Sequence, residues 1–214
     1  MKNRIAQLTF FMLSISISQA QPFKVGVEGG ISAALGKIGY GYLNKITSTG
    51  PRLGARFGLP LQYQTGKNGA LHSGIYYAMK GISIQDNNPV GLAYNSIEVP
   101  LAFVYKTNRP DAGNFFIGGG GYVGYAISGK IHSYYINGQQ ASESIRFGNT
   151  ILEHDMRRMD YGLNFQTGWS FKNGLLLRLV AQKQLNDMAN NNNGFSFSEV
   201  KNQAYAAITM AYLF

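Results

Sequence analysis

The chain has 214 residues, of which 45% are hydrophobic and 14% charged, and it carries a formal net charge of +9. It has no cysteine, which excludes disulfides, thiolate metal sites and lipidation at an amino-terminal cysteine. A mean hydropathy of −0.12 is too low for a bundle of membrane helices, while glycine, tyrosine and phenylalanine are abundant at 27, 14 and 13 residues.

The amino end opens with Lys2 and Arg4, then an apolar stretch through Phe10, Phe11, Leu13, Ile15 and Ile17. Ser18-Gln19-Ala20 puts small residues at the two positions a signal peptidase reads. The apolar run falls short of the ~20 residues of a spanning helix. A cleavable export signal is therefore expected over residues 1–20 and a single domain over 21–214. No second long apolar run follows, so a mature chain held in a membrane must be a closed barrel, because only helices and barrels satisfy every backbone group in lipid.

Eight segments then alternate with the period of two that marks a strand. About Phe23 to Ala33 sets Phe23, Val27 and Ile31 against Lys24, Glu28 and Ser32. Residues 52–64 set Leu53, Phe57, Leu59 and Tyr63 against Arg52, Arg56, Gln62 and Gln64. Residues 70–83 set Leu71, Ile75, Tyr77 and Met79 against His72, Tyr76 and Lys80. Residues 96–106 set Ile97, Val99, Leu101, Phe103 and Tyr105 against Glu98, Pro100, Ala102 and Lys106. The glycine-rich 115–127 opposes Ile117, Val123 and Tyr125 to Phe116, Gly118, Gly120 and Tyr122. Residues 158–171 oppose Met159, Tyr161, Leu163 and Phe165 to Arg158, Asp160, Asn164 and Gln166. Residues 175–185 oppose Leu175, Leu177 and Leu179 to Arg178, Gln182 and Gln184. The last segment, 203–214, carries Ile208, Met210, Tyr212 and Phe214 on one face.

Short connections at 66–69, 107–114 and 172–174 alternate strictly with long ones at 35–51, 85–95, 128–157 and 186–200. This asymmetry is that of an outer-membrane barrel, with short periplasmic turns and long outer loops. The expected fold is all-β: an eight-stranded antiparallel up-and-down transmembrane β-barrel in a Gram-negative outer membrane, with both mature termini periplasmic. Tyr212 and Phe214 form the carboxyl-terminal signal for the barrel-assembly machinery. Pro100 sits mid-strand without an N–H to donate, which predicts a local bulge. The run Gly118–Gly121 predicts close strand approach or a seat for a large ring.

Three motifs carry a family likeness. Ser96-Ile97-Glu98-Val99-Pro100-Leu101 with Tyr105-Lys106, the glycine-rich Phe116–Tyr125, and Asp160-Tyr161-Gly162 with Gly168 resemble strands four, five and six of the outer-membrane β-barrel domain common in Bacteroidota. That group includes PorT-like subunits of a secretion and gliding apparatus and is similar to OmpA-like eight-stranded barrels. The resemblance covers about residues 22–214 and implies an envelope role without catalytic residues or cofactors.

The inward parity collects the polar chemistry. Glu28, Glu98 and Asp160 point to the lumen with Arg52, Arg56, Lys80, Arg158 and Arg178. Buried charges must be paired or hydrated, and an eight-stranded lumen is just wide enough to be filled by side chains. The set predicts a packed salt-bridge network, helped by Tyr76, Phe116, Tyr122 and Tyr205 as fillers. The alternative is a narrow ion path with anion preference.

Elsewhere the chemistry is thin. His72, His132 and His154 lack metal-ligand spacing, and Ser133, His154 and Asp155 make a catalytic set only on paper. The Lys and Arg residues do not cluster with stacking aromatics, so nucleic acid is not an expected partner; outer-membrane lipid is. The loop 128–157, with Tyr134, Tyr135, Glu143, Arg146, Glu153 and Asp155, is the expected binding surface if there is one. The sequence therefore supports a non-enzymatic scaffold or interaction module among other envelope or secretion proteins. A small channel is the alternative, with a lipid-modifying enzyme behind both.

Overall fold

The structure, a computed structural model, describes residues 23–40, 46–48, 50–84, 90–107, 113–134, 140–150, 153–190 and 197–214. The expected export signal lies outside the described residues. Ten strands follow in order: β1 Phe23–Tyr40, β2 Ile46–Ser48, β3 Arg52–Gln64, β4 Gly69–Ile84, β5 Val90–Lys106, β6 Asn114–Tyr134, β7 Gln140–Ser144, β8 Met159–Ser170, β9 Leu175–Gln184 and β10 Phe197–Leu213. Every neighbour is antiparallel. The sheet runs β1-β3-β4-β5-β6-β8-β9-β10, and β10 pairs back onto β1 from Gly26↔Leu213 to Tyr40↔Phe197. Eight staves thus close into a barrel, which removes the sheet edges that lipid cannot satisfy. The short β2 and β7 pair only with the far ends of β1 and β6.

Period-two alternation decides the packing. Along β8 and β9 buried and exposed positions alternate from Met159 to Gln166 and from Leu176 to Gln184. The same parity holds in β10, where Ile208, Met210, Tyr212 and Phe214 are exposed while Ala207, Thr209, Ala211 and Leu213 are buried. The outer surface is an apolar belt that includes Ile31, Leu53, Leu101, Leu163 and Leu179. Tyr63, Tyr105, Tyr212 and Phe214 stand near its turn end, and the rings of Tyr212 and Phe214 meet edge to face at 5.5 Å. A belt of this kind is the surface a bilayer requires.

Strand ends differ from expectation. β1 continues to Tyr40, β6 to Tyr134, and β5 begins at Val90, so the expected loops at 35–51, 85–95 and 128–157 are shorter than their sequence suggests. The reason is physical. Beyond the belt the outer face no longer has to be apolar, yet ladder hydrogen bonding continues, as between Lys130 and Ala93 or His132 and Gly91. The apolar alternation fades before the strand does.

The bulge expected at Pro100 is not there. Between β4 and β5 the register is the same on both sides of Pro100, with Ser73↔Leu101 and Tyr76↔Glu98, and only the intervening pairings lapse. Gly74, at a positive φ of 151°, lies in this gap, and Ser73 Oγ donates to the Pro100 carbonyl at 2.7 Å. The β5 irregularity falls instead at Asn95/Ser96, against β6. The glycine run does give close approach: a Cβ on Gly118 or Gly120 would strike the β5 carbonyls of Phe103 and Leu101. Large inward rings sit on glycines outside that run. A Cβ on Gly74 would lie 2.7 Å from the Tyr76 ring, and one on Gly168 would lie 2.8 Å from that of Phe116.

Candidate functional site

All eight staves send a side chain into one buried cluster at mid-barrel. Arg56 on β3 donates to Glu98 on β5 at 2.5 Å. Lys80 on β4 reaches across to Asp160 on β8 at 2.7 Å, and approaches the second Glu98 oxygen at 2.5 Å as an ion contact off the hydrogen-bond axis. Gln182 on β9 adds a hydrogen bond to Glu98 at 3.2 Å, and the Tyr122 hydroxyl on β6 donates to Asp160 at 2.9 Å. Beside this chain lies a second group. Arg178 on β9 pairs with Glu28 on β1 at 3.0 Å and donates to the Tyr76 hydroxyl at 2.9 Å, while Thr209 on β10 donates to Glu28 at 2.7 Å. The Arg56 guanidinium, 4.2 Å from the Tyr76 ring centroid, joins the two groups.

Three carboxylates therefore meet three cations, and their side chains are 0–5% exposed. Such charges are costly to bury singly and tolerable only when paired and further hydrogen-bonded. Here the sum is neutral and tyrosine, threonine and glutamine donors serve the carboxylates, while Arg56 Nε and Arg178 Nε find no hydrogen-bond partner among the described residues.

Six of the eight expected network residues, Glu28, Arg56, Lys80, Glu98, Asp160 and Arg178, thus come together. Arg52 and Arg158 do not. They lie nearer the loop end, where Arg158 donates to the Ala126 carbonyl at 3.3 Å and stacks on Tyr125 and Phe147, and both line a cavity of about 690 Å³ at the rim. Parity gave their direction correctly; it did not give their height along the axis. Sequence reasoning took Tyr76 and Tyr122 as fillers and missed that their hydroxyls are partners of the acids. It also missed Gln182 and Thr209, although all four share the inward parity.

Apolar layers close the cluster on both sides. Toward the loops, Phe147 and Met156, from the stretches 145–150 and 153–158, and Met188 pack onto Ile82, Leu92, Tyr94 and Ala126. Toward the turns, Phe116, Leu176, Val104 and Leu213 form a floor, with the buried His72 edge-on to Phe116 at 5.4 Å. Beneath that floor the turn end opens into a polar vestibule of about 350 Å³. The paper set of Ser133, His154 and Asp155 is not assembled: the His154 ring faces the Thr150 carbonyl, Asp155 pairs with Arg146, and the Ser133 side chain lies outside the described residues. Among the described residues no three His, Asp or Glu side chains converge as a metal-holding group.

Known proteins provide an independent comparison. The chain is similar in structure to the attachment invasion locus protein Ail of Yersinia pestis, at 12% identity and a TM-score of 0.43, over 91% of this chain and 99% of that one. It is likewise similar to Neisserial surface protein A, at 10% identity and a TM-score of 0.42, over 92% and 100%. The N-terminal β-barrel domain of OprF from Pseudomonas aeruginosa gives 12% identity and a TM-score of 0.33, over 92% and 100%. No curated protein matches the sequence. The model of the family described as outer membrane protein beta-barrel domain matches residues 18–190. With its closed barrel and apolar belt, the chain belongs to that outer-membrane β-barrel domain family of the Gram-negative outer membrane.

Proposed function

We propose that this protein is a non-enzymatic envelope scaffold: a rigid stave barrel that holds an interaction surface at the outer membrane and conducts nothing. The observation that carries the proposal is the lumen, where a charge-neutral ion-pair layer lies between two apolar layers. Chemistry locked into mutual pairing is not offered to a permeant or a substrate. What remains for a partner is the loop end, where β6, β7 and the stretches 145–150 and 153–158 build relief above the belt. Residues 1–20 serve as the cleaved export signal. A periplasmic position for both mature termini is supported by β1 starting and β10 ending at the short-turn end. Tyr212 and Phe214 present the terminal aromatic face to the assembly machinery. The PorT-like strand motifs make a secretion or surface apparatus the first assembly in which to look.

Crosslinking in intact cells, followed by purification and identification of what accompanies the barrel, tests this. A reproducible set of envelope proteins, reduced when 140–150 is replaced by a short turn, supports it. A barrel that is recovered alone contradicts it.

A further inference from the structure

The vestibule at the turn end differs in kind from the rest of the lumen. Its lining includes Lys24, Lys67, Lys106 and Lys172, and no carboxylate side chain among the described residues. Only Phe171, Leu213 and Gly174 of that lining are non-polar. Lys106 is 7% exposed, and among the described residues its ammonium has one weak neutral contact, 3.4 Å to the Gln64 amide oxygen. The charged side chains that line the cavity with it, Lys24 and Lys67 among them, carry the same sign. Neither Lys24 nor Lys67 has a carboxylate partner among the described residues.

The position is built rather than frayed. The Lys106 backbone is clamped to the β3–β4 turn in both directions: its N–H donates to the Asn68 carbonyl at 2.7 Å, and Asn68 Nδ2 donates to its carbonyl at 2.8 Å. Gln64 fixes the same turn by donating to the Gly66 carbonyl at 2.6 Å. Gln62 is buried in the same wall, and its amide oxygen has no hydrogen-bond partner among the described residues. A buried ammonium facing like charges is costly to a fold, and glutamine would fill the site without that cost.

We propose that the vestibule binds a phosphate group. Lysines are point-charge phosphate ligands, and one doubly charged oxyanion can meet several ammoniums at once. The cavity of about 350 Å³ accommodates a phosphate with some of its water. An organic acid with an apolar body would find almost no apolar wall. The apolar floor of Phe116 and Leu176 keeps the anion from reaching Arg178 and breaking its pair with Glu28. The group can come from free phosphate or from an anionic lipid headgroup of the leaflet at the turn end.

The test has two arms. In an alkyl-glycoside detergent, which contains no phosphate, titration calorimetry with inorganic phosphate is expected to saturate for the wild type. K24Q/K106Q should weaken binding by about tenfold or more, the scale of losing charge-assisted contacts. K67Q, on the exposed turn, should weaken it severalfold without touching the buried wall. K130Q/K183Q removes the same charge at the opposite end and should leave binding unchanged. In the second arm, the protein is released from phosphatidylglycerol nanodiscs and weighed by native mass spectrometry. Lipid retained by the wild type and lost from K24Q/K106Q assigns the phosphate to a headgroup; calorimetric binding without retained lipid assigns it to the free anion. The proposal is overturned if neither arm separates K24Q/K106Q from K130Q/K183Q, or if the wild type takes up neither phosphate nor lipid.

Discussion

Lys80 and Lys106 are both inward-facing lysines on neighbouring staves, both buried, and their surroundings are opposite. Lys80 touches two carboxylates and faces the rings of Tyr122 and Tyr205. Lys106 touches a neutral amide and shares its cavity with other lysines. The barrel thus contains one layer in which charge is matched within the fold and another in which it is left over. The first kind of layer holds staves together across the lumen; the second is arranged to receive something from outside. Burial alone does not tell the two apart. The sign of the neighbours does.

Removing the acid at the centre should test this contrast hardest. Glu98→Ala leaves Arg56 and Lys80 facing each other without their shared carboxylate, and breaking a buried pair in this way costs about 3–5 kcal/mol. The expected result is a clear fall in the temperature at which the barrel loses its compact gel mobility. An unchanged melting temperature would mean that water, not pairing, solvates these charges.

A paired substitution sharpens the same point. Lys80→Met alone leaves Asp160, among the described residues, with the Tyr122 and Tyr94 hydroxyls, whereas Glu98→Gln with Lys80→Met removes opposite charges together. The double variant should be more stable than the sum of the singles by about 1–3 kcal/mol, the usual coupling of contacting groups. Denaturant titration of all three proteins measures it, and simple additivity would deny that the two residues interact.

The apolar cap should respond more locally. Met156 is fully buried against Phe147 and Met188, so Met156→Ala should loosen the stretches 145–150 and 153–158 by about 2 kcal/mol or more. Hydrogen exchange ought to rise there while the staves at mid-barrel remain protected. Uniform loss of protection would show that the cap and the barrel form one cooperative unit. The smallest effect is expected at the vestibule: Lys106→Gln should leave stability unchanged or raise it by less than about 1 kcal/mol, because no carboxylate is left behind and a like-charge contact is relieved. A loss as large as that of Lys80→Met would erase the contrast between the two layers.

What could be read in the sequence follows the same division. Parity alone fixed the face of every stave, because lipid on one side and lumen on the other force opposite choices at each step. It pointed Glu28, Glu98, Asp160, Arg56, Lys80 and Arg178 inward, and the ion pairs followed. Parity carries no information on height, which is why Arg52 and Arg158 were grouped with a layer they do not reach. The ends of β1, β5 and β6 were missed because their outer residues above the belt are polar, though the ladder still pairs them. At Pro100 the missing donor was legible, but its accommodation by Gly74 on the next strand was not, since that depends on register. Lys106 was assigned to the right face; only the assembled turn end shows that its neighbours are cations.

The central claim is that the lumen is a closed, self-neutralised plug. Single-channel recording of the purified barrel in planar bilayers tests it most directly. The account predicts no resolved conductance steps for the wild type across a range of voltages and salts. Regular, ion-selective steps from the intact protein would contradict it.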